Sequence, residues 1–202
     1  ISIGNMLYKD LNECRKLLTE AFSGWNPKVD NDLLDEGVQK LLDRLLFIRV
    51  AEDRGVEDKI LIPMVRQWEP RKGEVPLYKV MIEKFREMDE TYNSNLFSPH
   101  PFEEWEEYSG ATAKVIDILY GKKGYYEYDF KVIPSDVLGA VYENYLGYRL
   151  SKSKKGLSVN KDAGKRKEQG IYYTPSYIVD YIVENALKPV LDKCTSVEDL
   201  KR

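Results

Sequence analysis

The chain has 202 residues, 43% of them hydrophobic and 32% charged, and a net charge of -3, enough to bury a real core at the upper edge of one ordinary domain. It holds two cysteines without CxxC spacing and a single histidine, His100, which speaks against a zinc site and a disulfide framework. No run approaches the roughly 18 uninterrupted apolar residues of a membrane span, and the N-terminal residues lack a basic stretch followed by an apolar one, so the expectation is a soluble, cytoplasmic protein that does not meet a membrane. The charge is uneven: up to residue 150 there are 20 Lys+Arg against 27 Asp+Glu, and after it 11 against 7. An acidic body repels phosphates, so any nucleic-acid backbone contact is expected from the basic tail.

In chain order, "YKDLNECRKLLTEAFSGW" predicts a helix with Leu11, Leu17, Leu18, Ala21 and Phe22 on its apolar side and Gly24 as a stop. "DNDLLDEGVQKLLDRLLFIRVAEDRG" predicts the longest helix, capped by Asp30 or Asn31, stopped at Gly55, and carrying Leu34, Val38, Leu41, Leu42, Leu45 and Ile48 at the centre of the core. "KILIPMVRQW" reads as a short helix or turn beginning near Pro63. "PLYKVMIEKFREMDETYN" reads as one helix with Tyr78, Met81, Ile82, Phe85 and Met88 on one face. After the loop "SNLFSPHP" come a helix in "ATAKVIDILYG", a loop or short strand in "KKGYYEYDFKV", and a helix over "PSDVLGAVYENYLGYRL" capped by Ser135 or Asp136. Alternating strand patterns are nearly absent, so the fold class expected for residues 1–150 is an all-α multi-helix bundle.

Past Leu150 the character changes. "SKSKKGLSVNKDAGKRKEQG", residues 151–170, has seven Lys+Arg, two acidic residues and three glycines. It reads as a basic linker or a two-stranded flap, in which Lys154, Lys155, Lys165, Arg166 and Lys167 are the candidates for DNA-backbone contact. "YYTPSYIVDYIVENAL" then places Thr174 as N-cap and Pro175 at the first helical position, followed by a stripe of Ile178, Val179, Ile182, Val183 and Ala186 that needs a partner surface.

"RKEQGIYYTPSYIVDYIV" closely resembles the entry motif of γ-type adenine-N6 DNA methyltransferases, found in type I modification subunits, fused type II restriction-modification enzymes and related phage-exclusion methyltransferases. "LLDRLLFIRVAEDRG" and "SDVLGAVYENYLG" are similar to the helical region that precedes the methyltransferase domain in the fused type II enzymes. The resemblance implies a helical connector over 1–150, a basic linker or flap, and the truncated start of a methyltransferase domain over 171–202. It implies S-adenosylmethionine as cofactor of the full-length parent, with Thr174 contacting it and Tyr172 and Tyr173 lining its entrance beside Pro175. It further implies double-stranded DNA as substrate, the catalytic α/β domain of the same chain as the partner of the last helix, and Mg2+ only where a nuclease is fused. Ordinary helix capping remains the other reading of Thr174.

No catalytic residue is expected here. The glycine-rich cofactor loop and the Asn/Asp-Pro-Pro-Tyr/Phe motif that hold cofactor and flipped base in the family are absent, since Asn26-Pro27 is followed by Lys28 and Val29. The segment, read as an excised piece of something longer, is therefore not expected to methylate DNA by itself. "EDK" at Glu57, Asp58 and Lys59 matches only the end of a nuclease signature and reads as loop. Arg49 paired with Glu52 or Asp53 reads as helix-surface pairing, against which the family resemblance sets a buried ion pair joining this helix to a neighbour. Tyr142, Tyr145 and Tyr148 read as core or interface before base stacking, and "GYYEYDF" as packing over the bundle. The competing functional reading is a free-standing helical protein-interaction module whose last helix fills a partner's groove.

Overall fold

The computed structural model describes residues 2–122, 125–146, 148–153, 156–161 and 174–194. The fold is all-α, with α1 (Ile3–Trp25), α2 (Asn31–Asp53), α3 (Leu61–Trp68), α4 (Leu77–Val80), α5 (Ile82–Tyr92), α6 (Ala111–Tyr120), α7 (Ser135–Leu146) and α8 (Ser176–Leu191). Two small antiparallel hairpins interrupt it, β1 (Gly121–Lys122) with β2 (Tyr126–Glu127) and β3 (Tyr148–Ser153) with β4 (Gly156–Lys161).

The core forms where α1 packs against α2, α6 and α7. All six residues of the apolar stripe expected on α2 are buried, as are Leu11, Leu18 and Phe22 of α1, while Leu17 and Ala21 pack partly buried at its margin. The start of α2 follows the capping rule: the Asp30 carboxylate accepts from the amides of Asp32 at 3.1 Å and Leu33 at 3.0 Å, satisfying first-turn donors that have no intrahelical partner. Gly55 lies just past its end with φ +69, the left-handed backbone that favours glycine at this position.

Several boundaries differ from the sequence reading. α1 runs through Gly24 to Trp25, and Asn26 takes over as the stop. Its amide nitrogen bonds the Phe22 carbonyl at 2.8 Å, and its side chain bonds Phe22 and both the carbonyl and the amide of Glu106. α3 starts at Leu61, ahead of Pro63, because a proline in the first turn forgoes an N–H that would be unpaired in any case. The helix expected over residues 77–93 is broken at Met81, where the chain closes a tighter turn onto the Tyr78 carbonyl at 3.1 Å before α5 begins. α7 ends at Leu146, not Leu150: Tyr148–Leu150 belong to β3, paired to Lys161, Asn160 and Val159. Thr174 is not the N-cap of the last helix. Pro175 occupies that position with φ -55 and ψ 145, and no side chain caps the turn.

Gly37, in the middle of α2, has a packing cause. A Cβ there would lie 2.5 Å and 2.8 Å from two ring atoms of Trp105 and 3.0 Å from the Phe102 Cβ, and Phe102 and Trp105 are both buried. Alanine would raise helix propensity by about 1 kcal/mol, but it would overpack a rigid aromatic contact. Gly37→Ala is expected to destabilise the bundle by about 1 to 3 kcal/mol, read as a lower midpoint in a denaturant titration.

Candidate functional site

The C-terminal corner is built from two exposed residues and a helix end. The Pro175 carbonyl accepts from the amides of Ile178 at 2.9 Å and Val179 at 3.1 Å, which leaves the first two amides of α8, those of Ser176 and Tyr177, at the open end of the helix. Thr174 stands beside that end, exposed and uninvolved in capping. Tyr172 and Tyr173, like Lys154, Lys155, Lys165, Arg166 and Lys167, lie outside the described residues.

α8 itself buries nothing over its 16 residues. Its stripe of Ile178, Val179, Ile182, Val183, Leu187 and Val190 is 36 to 59% exposed, whereas the corresponding faces of α1 and α2 sit in the core. An amphipathic helix carries such a stripe in order to cover another surface.

Within the bundle, the polar groups that could be mistaken for a reaction centre form structural junctions. Arg49, Glu52 and Asp53 do not make a surface pair. Arg49 and Glu52 are 3% and 5% exposed, and the Arg49 guanidinium forms an ion pair with Asp53, lies 3.9 Å from the Glu52 carboxylate, donates to the Tyr128 carbonyl at 2.9 Å and sits 3.9 Å over the Tyr120 ring. Glu52 accepts the amides of Ile60 at 2.6 Å and Leu61 at 2.7 Å as well as the Tyr120 hydroxyl, so a side chain of α2 caps the start of α3. Asp53 accepts the Phe130 amide at 2.9 Å and pairs with Lys59 at 3.1 Å.

A second junction surrounds Arg44, which is fully buried between the rings of Phe85 and Phe102 and donates to Glu103 at 2.7 Å and to the carbonyls of Leu96 and Ser98 at 2.8 Å and 2.6 Å. Arg86 bonds the same Glu103 carboxylate from the other side. A third joins Arg15 of α1 to Asp35 of α2. The remaining sequence candidates resolve in the same way. Glu57 accepts the Tyr92 hydroxyl at 2.5 Å, and Tyr145 is a core residue with Tyr142 packed beside it. In "GYYEYDF", Tyr126 and Tyr128 donate to Asp10 at 2.5 Å and 2.8 Å while Tyr125 is 81% exposed.

A cavity of about 740 Å3 lies at the β1–β2 hairpin among Asp10, Glu13, Asp117, Tyr120, Tyr126 and Tyr128. A more apolar groove of about 410 Å3 runs between α2 and α7, with Leu46, Phe47, Val50 and Leu138 on its walls and Asp43 at its edge. Among the described residues no group of three or more His, Cys, Asp or Glu side chains is placed to hold a metal ion, and no helix is long and apolar enough to cross a membrane.

No family model matches the chain and no solved structure matches it. Among curated proteins it is similar to the type II restriction enzyme and methyltransferase RM.Eco57I of Escherichia coli, at 25% identity over 201 residues. That similarity covers 99% of this chain and 19% of the relative, so the chain spans about a fifth of the relative's length.

Asp43 provides a pH readout of the bundle. Burial pushes its carboxyl up to about 6 from 3.8, against hydrogen bonds from Tyr142 and Gln39 that favour the charged form. Between about pH 4 and pH 6 the folded state therefore holds this proton more tightly than the unfolded chain does. Its stabilising contribution is complete below about pH 4 and is lost as pH rises through about 6. Asp43→Asn should remove that loss. The variant's thermal midpoint, taken relative to the parent protein, should rise between pH 4 and pH 7 by the equivalent of about 1 to 3 kcal/mol.

Proposed function

We propose that this chain is the helical connector of a fused restriction-modification enzyme, together with the first cofactor-pocket motif of its S-adenosylmethionine-dependent, adenine-N6 DNA methyltransferase domain. The observation that carries this reading is the end-to-end similarity to a restriction enzyme and methyltransferase, which spans bundle, hairpin and terminal corner in one alignment. The exposed stripe of α8 supports it, since a helix that opens an α/β catalytic domain needs an apolar surface to cover.

The corner fits the cofactor in chemical type. A helix start with no side chain over its first amides can take an anionic end such as a carboxylate, and the Thr174 hydroxyl beside it is not committed to the helix. Thr174 would contact the cofactor, while Tyr172, Tyr173 and Pro175 would shape its entrance. When bound, S-adenosylmethionine supplies the methyl group. The bundle's part is geometric: it holds the catalytic domain, and any fused nuclease with its Mg2+, at a fixed reach on double-stranded DNA. Lys154, Lys155, Lys165, Arg166 and Lys167 would meet the phosphates. The setting of such an enzyme is the cytoplasm.

The test compares Thr174→Ala and Thr174→Ser in the full-length protein by calorimetric titration of the cofactor. Because Thr174 forms no cap, the alanine variant should keep its thermal midpoint and lose roughly three- to tenfold in cofactor affinity, with serine near wild type. A drop in midpoint with unchanged affinity would make the threonine a helix-end residue and remove the corner from the cofactor site.

A further inference from the structure

The cavity at the β1–β2 hairpin holds a carboxylate that the bundle leaves half used. Asp10 of α1 is 9% exposed, and the hydroxyls of Tyr126 and Tyr128 both donate to its Oδ2, at 2.5 Å and 2.8 Å. Among the described residues no donor reaches its Oδ1, and Asp10 lines the cavity. A carboxylate oxygen in so buried a side chain is costly to leave without a donor. The rings of Tyr126 and Tyr128 stand at 66° to each other with centroids 5.4 Å apart, so they form a corner beside Asp10. Three more carboxylates, those of Glu13, Asp117 and Glu127, lie exposed around the same cavity. None of them forms an ion pair among the described residues, and burial together with the nearby Glu69 pushes the Asp117 carboxyl up. The cations in the wall are committed elsewhere: Arg49 pairs with Asp53, and Lys122 lies 4.8 Å from the centroid of the Tyr125 ring.

We propose that this cavity binds a linear aliphatic polyamine, with one ammonium on Asp10 and a second on the exposed carboxylates at the mouth. The volume of about 740 Å3 is that of a small-molecule site and far more than a bare ion fills. A metal ion would need several oxygen ligands converging on one point, and among the described residues no three carboxylates do so. Charges spread around a cavity match a cation whose own charges are spread along a chain. Aromatic rings beside an anion favour an ammonium group, and Ile62 and Ile118 give the methylenes an apolar wall. Such a site is independent of the restriction-modification reading.

The test is calorimetric titration of spermidine into the full-length protein free of DNA. Asp10→Asn should weaken spermidine binding roughly tenfold, since it removes the buried charge while keeping an acceptor for the two tyrosines. Glu13→Gln combined with Asp117→Asn should weaken it about threefold. These two residues are exposed and unpaired, so this double variant carries the test if Asp10→Asn lowers the thermal midpoint. Glu83→Gln combined with Glu90→Gln removes the same charge from the exposed side of α5 and should change affinity by less than about twofold. Butylamine, with a single ammonium, should bind at least about tenfold more weakly than spermidine. Absence of spermidine binding by the wild type, or unchanged affinity in the cavity variants, would overturn the site. Equal losses from the two double variants would reduce the effect to diffuse attraction by the acidic body and overturn it as well. Equal affinity for butylamine and spermidine would overturn the polyamine as its ligand.

Discussion

Much of this fold depends on one constraint: α2 carries charged side chains into the core, and each has to meet an opposite charge or a hydrogen bond there. Arg44 and Arg49 are buried, as are Asp35 and Glu52. An ionised group taken out of water costs several kcal/mol unless its partners are in place. Those partners come from α1, from the loop before α3, from the loop after α5 and from the segment after β2. Replacing a matched pair by apolar residues of similar volume is often tolerated in proteins, whereas removing one member is costly. The junctions therefore act less as a source of net stability than as a specification of which loop lies where.

Glu52 shows how economical that specification is. One carboxylate closes the start of α3 through two amides and receives a hydroxyl from the end of α6, so three helices are set relative to each other by a single side chain. α3 has no capping side chain of its own at Ile60, and the carboxylate from α2 takes that place.

The apolar pattern was the most legible level of the sequence. The helical period placed the α2 stripe correctly because burial on one face of a helix leaves a local signature every three or four residues. Asp30 and Gly55 could be read as helix ends for the same reason: their chemistry acts within four residues. What was missed is non-local. Nothing near Arg49 in sequence says that Tyr128 and Phe130 will close over it, so the residues alone read as a surface pair, and the buried ion pair entered only through the family resemblance. Glu103 drew no notice, because its partners are 59 and 17 residues away. Gly37 carried a weak signal, a glycine inside a strong helix pattern, but the aromatic ring that excludes its Cβ comes from Trp105. At the corner the type of local structure was legible and its register was off by one: the helix starts at Ser176, and Thr174 is displaced from cap to flank.

The β3–β4 ribbon has a kinematic consequence for how the two ends of this chain are joined. Tyr148 and Lys161 are opposite partners in the ladder, so the chain leaves the ribbon about where it entered. The fourteen residues from 148 to 161 are a closed detour that adds almost no displacement between α7 and α8. Lengthening the ribbon by paired residues would lengthen the ladder and leave the chain's point of return beside Tyr148 unchanged.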